Sequence, residues 1–365
     1  MRWNWRSARF LPNRLIRELP QLSPLFCAII KNASLILAGF WMLRKKFTRL
    51  FYTTDIHGSE ICFKKFLNAS KFYKTDVLIL GGDVTGKLIV PIVRNPDGTF
   101  QSDFFGEHLA VKTEEEARRI ESKIRDCGFY AHFCTEAENE EIQKDQKKRD
   151  ALFFDIMRDT LLRWVKMAEE RLKGTDTICY ITGGNDDHQE VIEAFKDTEH
   201  VKNPDNKVVR IDELHEMASL GWGNPTPWKC PRDCSSEEEL GERIETLVSQ
   251  LEDTSNSVFN FHVPPKDSGL DEAPLLDTST YPPKPVIKSG HTVLVNVGSI
   301  SVRNAIEKLQ PLVVLTGHIH ESRGTVKIGK SMIINPGSEY SEGIMRGVIV
   351  NLGDKKILSY QLTSG

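Results

Sequence analysis

Seven residues of metal-ligating type each stand just beyond a short apolar run. Asp55 and His57 follow Leu50, Phe51 and Tyr52; Asp83 follows Val77 to Leu80 and a Gly-Gly pair. Asn185 follows residues 177–181 and a second Gly-Gly pair, His262 follows 257–261, and His318 and His320 follow 312–315. Taken singly, each has an ordinary reading: His262 as a core histidine, Asp83 as a turn residue, Asn185 as a helix cap. Their recurrence at the same place after five apolar runs points to one shared site. Carboxylate, imidazole and amide oxygen without a thiolate suit Mn²⁺, Fe, Zn²⁺ or Co²⁺. If the first run continues as a strand, Asp55 and His57 face one side, two residues apart. Gly58 then lets the chain turn away.

Donors reach a common point only if the runs before them are neighbouring strands. In open α/β sheets, functional groups gather at the carboxyl ends of strands. Residues 60–72 carry helix-like apolar spacing and 76–80 read as a buried strand, so the start of the chain predicts a βαβ unit with parallel strands. Residues 85–110 read as a hairpin turning at Asn95-Pro96-Asp97-Gly98, and Thr113 with Glu116 predicts a capping box before a helix to about Cys127. Residues 151–172 carry a helical stripe of Phe154, Met157, Leu161, Trp164, Val165 and Ala168. Together, 85–173 read as an insertion forming a cap or rim. Beyond it, Ser236 and Glu239 cap a helix to about Leu251, and 302–309 form a short helix. Strands are expected at 331–334, 348–352 and 356–362, the last two joined at Gly353-Asp354. The fold class is α/β. Residues 189–235 and the Pro- and Gly-rich stretch 263–290 read as loops, and 263–285, next to His262, is expected to contact substrate.

The chain is long enough for one large domain with insertions or for two. Its 365 residues carry a formal charge of −3, which gives no pull toward nucleic acid or anionic membrane. The seven cysteines lack disulfide-framework spacing, which suits a reducing, cytoplasmic setting. Residues 1–45 differ from the rest: scattered arginines precede a mostly apolar run at 24–43, followed by Arg44, Lys45 and Lys46. The favoured expectation is a dispensable extension before a domain spanning 46–365. A membrane anchor through 24–43 and a packed helical extension are the alternatives.

The ordered set Asp55-x-His57, Gly82-Asp83, Gly184-Asn185, His262 and Gly317-His318-x-His320 resembles the calcineurin-like metallophosphoesterases over roughly residues 50–340. The resemblance implies a four-layer α-β-β-α sandwich of two mixed sheets, with two divalent metal ions at the strand ends. It further implies that Asp55, His57 and His320 hold one ion, that Asn185, His262 and His318 hold the other, and that Asp83 is shared. The activity implied is hydrolysis of a phosphomonoester or phosphodiester by a bridging hydroxide, with manganese among the candidate ions.

One position departs from the family pattern. Many members carry a His directly after the Asn, placed to protonate the leaving oxygen; here the residue is Asp186. A carboxyl group serves as an acid only if its pKa is raised, and a dicationic site pushes it down. Asp186 is therefore expected to orient a ligand or substrate, with His188 a partial substitute for the missing acid. Gly298-Ser299 and Arg303, at the start of a helix, are candidate phosphate contacts. A nuclease of the same superfamily is a second reading, disfavoured by the balanced charge. A phosphoesterase-fold interaction module without activity is a third, opposed by the complete donor set.

Overall fold

The computed structural model describes residues 47–280 and 282–365. The expected N-terminal extension, including the apolar run 24–43, lies outside the described residues. Among the described residues, no helix is long and apolar enough to cross a membrane.

The chain alternates strand and helix from its first described residues. Strand β1 (Thr48–Thr53) leads through α1 (Glu60–Tyr73) to β2 (Val77–Gly81), and β1 and β2 pair in parallel. Ser59 starts α1 by accepting a hydrogen bond from the Cys62 amide, and Lys74, in the left-handed region, ends it. Residues 89–135 then build a separate four-stranded sheet. Its strands are β3 (Ile89–Arg94), β4 (Phe100–Phe104), β5 (Glu107–Val111) and β6 (Tyr130–Thr135), in the order β5-β4-β3-β6. Helix α2 (Glu114–Asp126), with the Thr113–Glu116 capping box formed, packs on it through Ala117, Ile120 and Ile124. Helices α3 (Glu136–Lys144) and α4 (Gln146–Leu172) return the chain to β7 (Ile178–Thr182), which pairs in parallel with β2.

The remaining strands complete two six-stranded sheets. The first ends with the short β8 (Val201–Lys202) on one side. The second holds β9 (Lys207–Arg210), β10 (Glu216–Leu220) and, after α5 (Glu237–Val248), β11 (Val258–Phe261). Two strands, β12 (Glu272–Pro274) and β13 (Leu294–Asn296), pair outside both sheets and lead to α6 (Ile300–Leu309). Then follow β14 (Val313–Leu315), β15 (Gly324–Ile328), β16 (Ser331–Asn335), β17 (Arg346–Gly353) and β18 (Lys356–Ser364). The sheet orders are β18-β17-β1-β2-β7-β8 and β15-β16-β14-β11-β10-β9. Both sheets mix parallel and antiparallel pairs.

Side-chain alternation decides what lies on each face. Leu50, Tyr52, Val77 and Ile79 of the first sheet meet Met217, Val258, Val313 and Leu315 of the second in one apolar cluster. The intervening Phe51, Leu78 and Leu80 face the other way, against Phe63, Phe66 and Leu67 of α1 and Leu161, Trp164 and Ala168 of α4. On the far side of the second sheet, Ala218, Phe259, Phe261 and Val314 pack under Leu240 and Ile244 of α5 and Val302 and Ile306 of α6. The order helix, sheet, sheet, helix is the expected four-layer α/β sandwich.

Three expectations need correction. Residues 189–235 were expected to be loop but contain β10, a strand paired in parallel with β11. Its Glu-Met-Ala-Ser-Leu sequence has no β-branched or aromatic residue, so packing between α5 and the intersheet core, not propensity, makes it a strand. Residues 263–290 likewise contain short paired segments. Finally, β1 ends at Thr53, so Asp55 and His57 do not converge by strand alternation.

Candidate metal centre

Asp55 and His57 instead lie on a loop stitched to the one after β2. The Asp55 amide donates to Gly82 O at 2.9 Å, the His57 amide to Asp83 O at 2.9 Å, and the Gly58 amide to Val84 O at 2.8 Å. Asp55, His57, Asp83 and His318 all take positive φ, at 53°, 39°, 48° and 65°. Such backbone costs non-glycine residues about 1–3 kcal/mol each and clusters at functional sites. Two neighbouring glycines are needed for space. A Cβ on Gly184 would collide with the Asp83 carboxylate, and one on Gly317 with the carboxylate of Asp55.

The seven sequence candidates come together. Asp55, His57 and His320 offer ligand atoms within 4.8 Å of one another, as do Asp83, His262 and His318. His57 Nε2 and His320 Nε2 lie 3.2 Å apart. Two donors at right angles, each ~2.1 Å from one ion, stand ~3 Å apart, so this spacing suits a shared metal. Asp83 stands between the two groups: Oδ2 is 3.5 Å from His57 Nε2 and Oδ1 is 3.3 Å from His262 Nε2. Asn185 Oδ1 lies 3.0 Å from His318 Nδ1.

Hydrogen bonds around the cluster set the donors' orientation. The Asn185 amide nitrogen donates to Asp233 Oδ1 at 2.9 Å, which turns its oxygen toward His318. His262 Nδ1 faces the carbonyl of Gly81 at 3.3 Å. A carbonyl only accepts, so Nδ1 carries the proton and, in the neutral ring, Nε2 holds a free lone pair. That Nε2 is buried and has no hydrogen-bond partner, and neither has His57 Nδ1.

The electrostatics ask for positive charge. Burial lowers the pKa of His262, but the Asp83 and Asp55 carboxylates outweigh it and raise it to about 9. Burial raises that of Asp55, yet His262 and His320 bring it down to about 2. His57 and His318, pushed down to about 3 and about 4 chiefly by burial, are neutral imidazoles, the form that binds a metal. Orphaned buried nitrogens, two ionised carboxylates and a donor set of imidazole and oxygen together fit divalent metal ions.

The other sequence candidates fare differently. Asp186 reaches the site: Oδ2 is 3.9 Å from His57 Nδ1 and 3.0 Å from Lys87 Nζ. Burial and the Asp83 charge raise its pKa, against the pull of Lys87. His188 packs its ring edge-on against Phe154, 5.9 Å between centroids, and precedes a single helical turn, Gln189–Ile192. It joins neither donor group. Arg303 donates to the carbonyls of Lys266 and Asp267 and bonds Glu307. The amides of Ile300 and Ser301 at the start of α6 donate to Glu237, so a protein carboxylate already fills the anion position expected for phosphate.

Several site residues escaped sequence reasoning. Lys87 follows Asp83 by four positions in a loop, a signal legible only once Asp83 is placed. Asp187 accepts from the amides of Val84, Thr85 and Gly184 and from the Thr85 hydroxyl, joining the Asp83 and Asn185 loops. Tyr340 sets its ring 4.8 Å from that of His57. Asp233 carries no motif at all. The cluster opens into a cavity of about 640 Å³, which the expected 263–285 loop borders through Pro274, Leu275 and Leu276.

No family model matches the chain. An uncharacterized protein of Methanocaldococcus jannaschii is 30% identical over 155 residues, covering 42% of this chain and 61% of that relative's length. One solved crystal structure aligns over 87% of this chain and 98% of its own at 14% identity, with a TM-score of 0.52; the likeness is one of fold. A solved archaeal phosphodiesterase aligns over 87% of this chain and 100% of its own, at 11% identity and a TM-score of 0.29, too low to bear on function.

Proposed function

We propose that the chain is a metallophosphoesterase of the calcineurin-like kind, hydrolysing a phosphate ester at a dinuclear centre. Asp55, His57 and His320 hold one divalent ion, Asn185, His262 and His318 hold the second, and Asp83 is shared. The observation that supports this reading above the others is the position of Asp83 between the two groups, with one oxygen facing His57 and the other facing His262. Two ions bound there supply Lewis-acid polarisation of a phosphoryl oxygen and an acidified water.

The chain's own groups do the rest. Lys87 brings an ammonium to the edge of the centre, and Asp186 and Asp83 keep it protonated by raising its pKa against burial. It is placed to steady phosphoryl oxygens as negative charge builds, a contribution worth about 10²–10³ in rate for a well-aimed donor. Asp186 orients Lys87. Asp233 holds the Asn185 oxygen toward the centre, and Asp187 ties together the two loops that carry Asp83 and Asn185.

The test is elemental analysis of purified protein together with turnover of a chromogenic phosphodiester in added Mn²⁺. Metal near two equivalents, and turnover lost in Asp83→Asn and His262→Ala, is the expected result. Metal-loaded protein that turns over no phosphomonoester, phosphodiester or cyclic nucleotide sinks the proposal.

A further inference from the structure

The cavity in front of the candidate metal centre is lined by two unlike sets of residues. One holds Asp83, Asn185, His318 and His320 with the Lys87–Asp186 pair. The other is apolar: Trp228, Pro274, Leu275, Leu276, Val295 and Ile300. Trp228 and Ile300 are 53% and 52% exposed, unusual for side chains of that size beside a polar site. Asn224, Thr226 and Glu321 also line the cavity, while two of its charged groups are taken up by the protein itself. Lys266 is bonded to the carbonyl of Asn296, and Glu237 is taken up by Ser299, Ile300 and Ser301.

A phosphate ester seated on the metal donors sends its substituent into this cavity, since the opposite side of the donors is the intersheet floor formed by β1, β2 and β11. At about 640 Å³ the space is that of a small-molecule site, which buries most of its ligand. We infer that the substrate is an amphiphilic phosphate ester: an anionic phosphoryl group at the metal and Lys87 end, and an alkyl or aryl substituent against the Trp228–Leu276–Ile300 wall. This rests on the hydrolase reading for the place of the phosphoryl group. The wall is held on short ladders, β12 with β13 and the flanking 276–285 and 287–292 pairs, which fix it as a surface next to the centre.

The test uses the full chain loaded with Mn²⁺ and a series of p-nitrophenyl phosphodiesters whose second substituent is methyl, butyl or octyl. Each methylene that enters the cavity lowers KM about fourfold, so the butyl ester should show a KM roughly 60-fold below that of the methyl ester. Trp228→Ser and Leu276→Ser should flatten this dependence. A KM independent of chain length, or a dependence both variants keep, overturns the inference. Calorimetry with methyl-, butyl- and octylphosphonate reads the same dependence without turnover. Tighter binding of the longer phosphonates with no hydrolysis of any ester leaves the subsite standing and removes the hydrolase reading. Hydrolysis without chain-length preference does the reverse. Comparing a monomeric ester with the same headgroup in a phospholipid vesicle separates a soluble substrate from a membrane-borne one. A dimer that Trp228→Ser dissociates, together with indifference to chain length, would show the wall to be an interface between copies and overturn the inference.

Discussion

Lys87 and Asp186 form an ion pair at the lip of the donor cluster, Nζ to Oδ2 at 3.0 Å, and the same oxygen lies 3.9 Å from His57 Nδ1. Beside the imidazole of His57, this chain sets a cation held by an anion. The cation holds its proton tightly, since the Lys87 pKa is raised. The pair therefore suits electrostatic stabilisation better than proton donation. Lys87→Met is expected to lower kcat about 100-fold while metal content stays near two equivalents. Asp186→Asn, which frees Lys87 to wander, should raise KM more than it lowers kcat. Steady-state kinetics with metal analysis of each variant checks both, and unchanged kinetics in Lys87→Met would remove its role.

Asp233 is expected to govern metal retention. Its Oδ1 accepts from Asn185, and its Oδ2 accepts from the Thr226 amide and hydroxyl and the Cys230 amide. An amide at 233 would set an NH₂ group against one of these sets of donors. Asp233→Asn should weaken metal affinity about 10–100-fold, as outer partners of metal ligands generally do. Titration with Mn²⁺ against a chelating indicator reads this directly; wild-type affinity in the variant would contradict it.

Metal removal should lower stability measurably. At ~1,000 times its dissociation constant an ion contributes about 4 kcal/mol to the folded state, equivalent to a shift of roughly 6 °C in Tm for a domain of this size. Scanning calorimetry with and without EDTA is the check. Asp83→Asn should show no such difference, and an unchanged Tm in wild type would argue against tight metal binding.

A second prediction on stability lies away from the centre. His215 is buried with Nδ1 2.7 Å from Asp212 Oδ2 and Nε2 3.1 Å from the carbonyl of Gly353. Both partners only accept, so both nitrogens carry protons and the ring is an imidazolium. Burial opposes the charge, but Asp212 and the Gly353 carbonyl raise the pKa. Burial also opposes ionisation of Asp212, which His215 nonetheless brings down to about 2. The raised histidine stabilises fully below its unfolded value near 6.5 and loses this as pH rises through its folded value. The lowered aspartate stabilises above its unfolded value near 3.8 and loses this as pH falls through about 2. The pair therefore contributes most between pH ~4 and ~6.5. His215→Gln should cost about 1.5–3 kcal/mol there, with the deficit shrinking as pH rises through the raised folded value. Urea unfolding at pH 5.5 and 8.5 measures it, and a pH-independent deficit would count against the imidazolium.

What could be read from the chain followed the physics of each feature. The strands β1, β2, β7, β11 and β14 were legible because burial on both faces demands continuous apolar runs, and the donors because each closes such a run. β10 was illegible, since Met217, Ala218 and Leu220 are buried by context that no local pattern announces. Asp55 and His57 come together through a loop of left-handed backbone, not by facing one side of a strand. Asp233, Asp187 and Lys87 depend on tertiary neighbours 48, 102 and 99 positions away in the chain, and no spacing rule reaches that far. Arg303, a candidate phosphate contact in sequence, is engaged by the carbonyls of Lys266 and Asp267, and His188 packs against Phe154.

His57 and His320 sit 263 residues apart in the chain and 3.2 Å apart in space. An ion gripping both would fasten the opening of the domain to its closing third. Unlike a covalent staple, the ion leaves when the chain unfolds, so its hold acts through the free energy of binding to the folded state. Loading the centre is thus expected to slow global opening and proteolysis far from the site, so that the chemistry and the lifetime of the protein share the same few atoms.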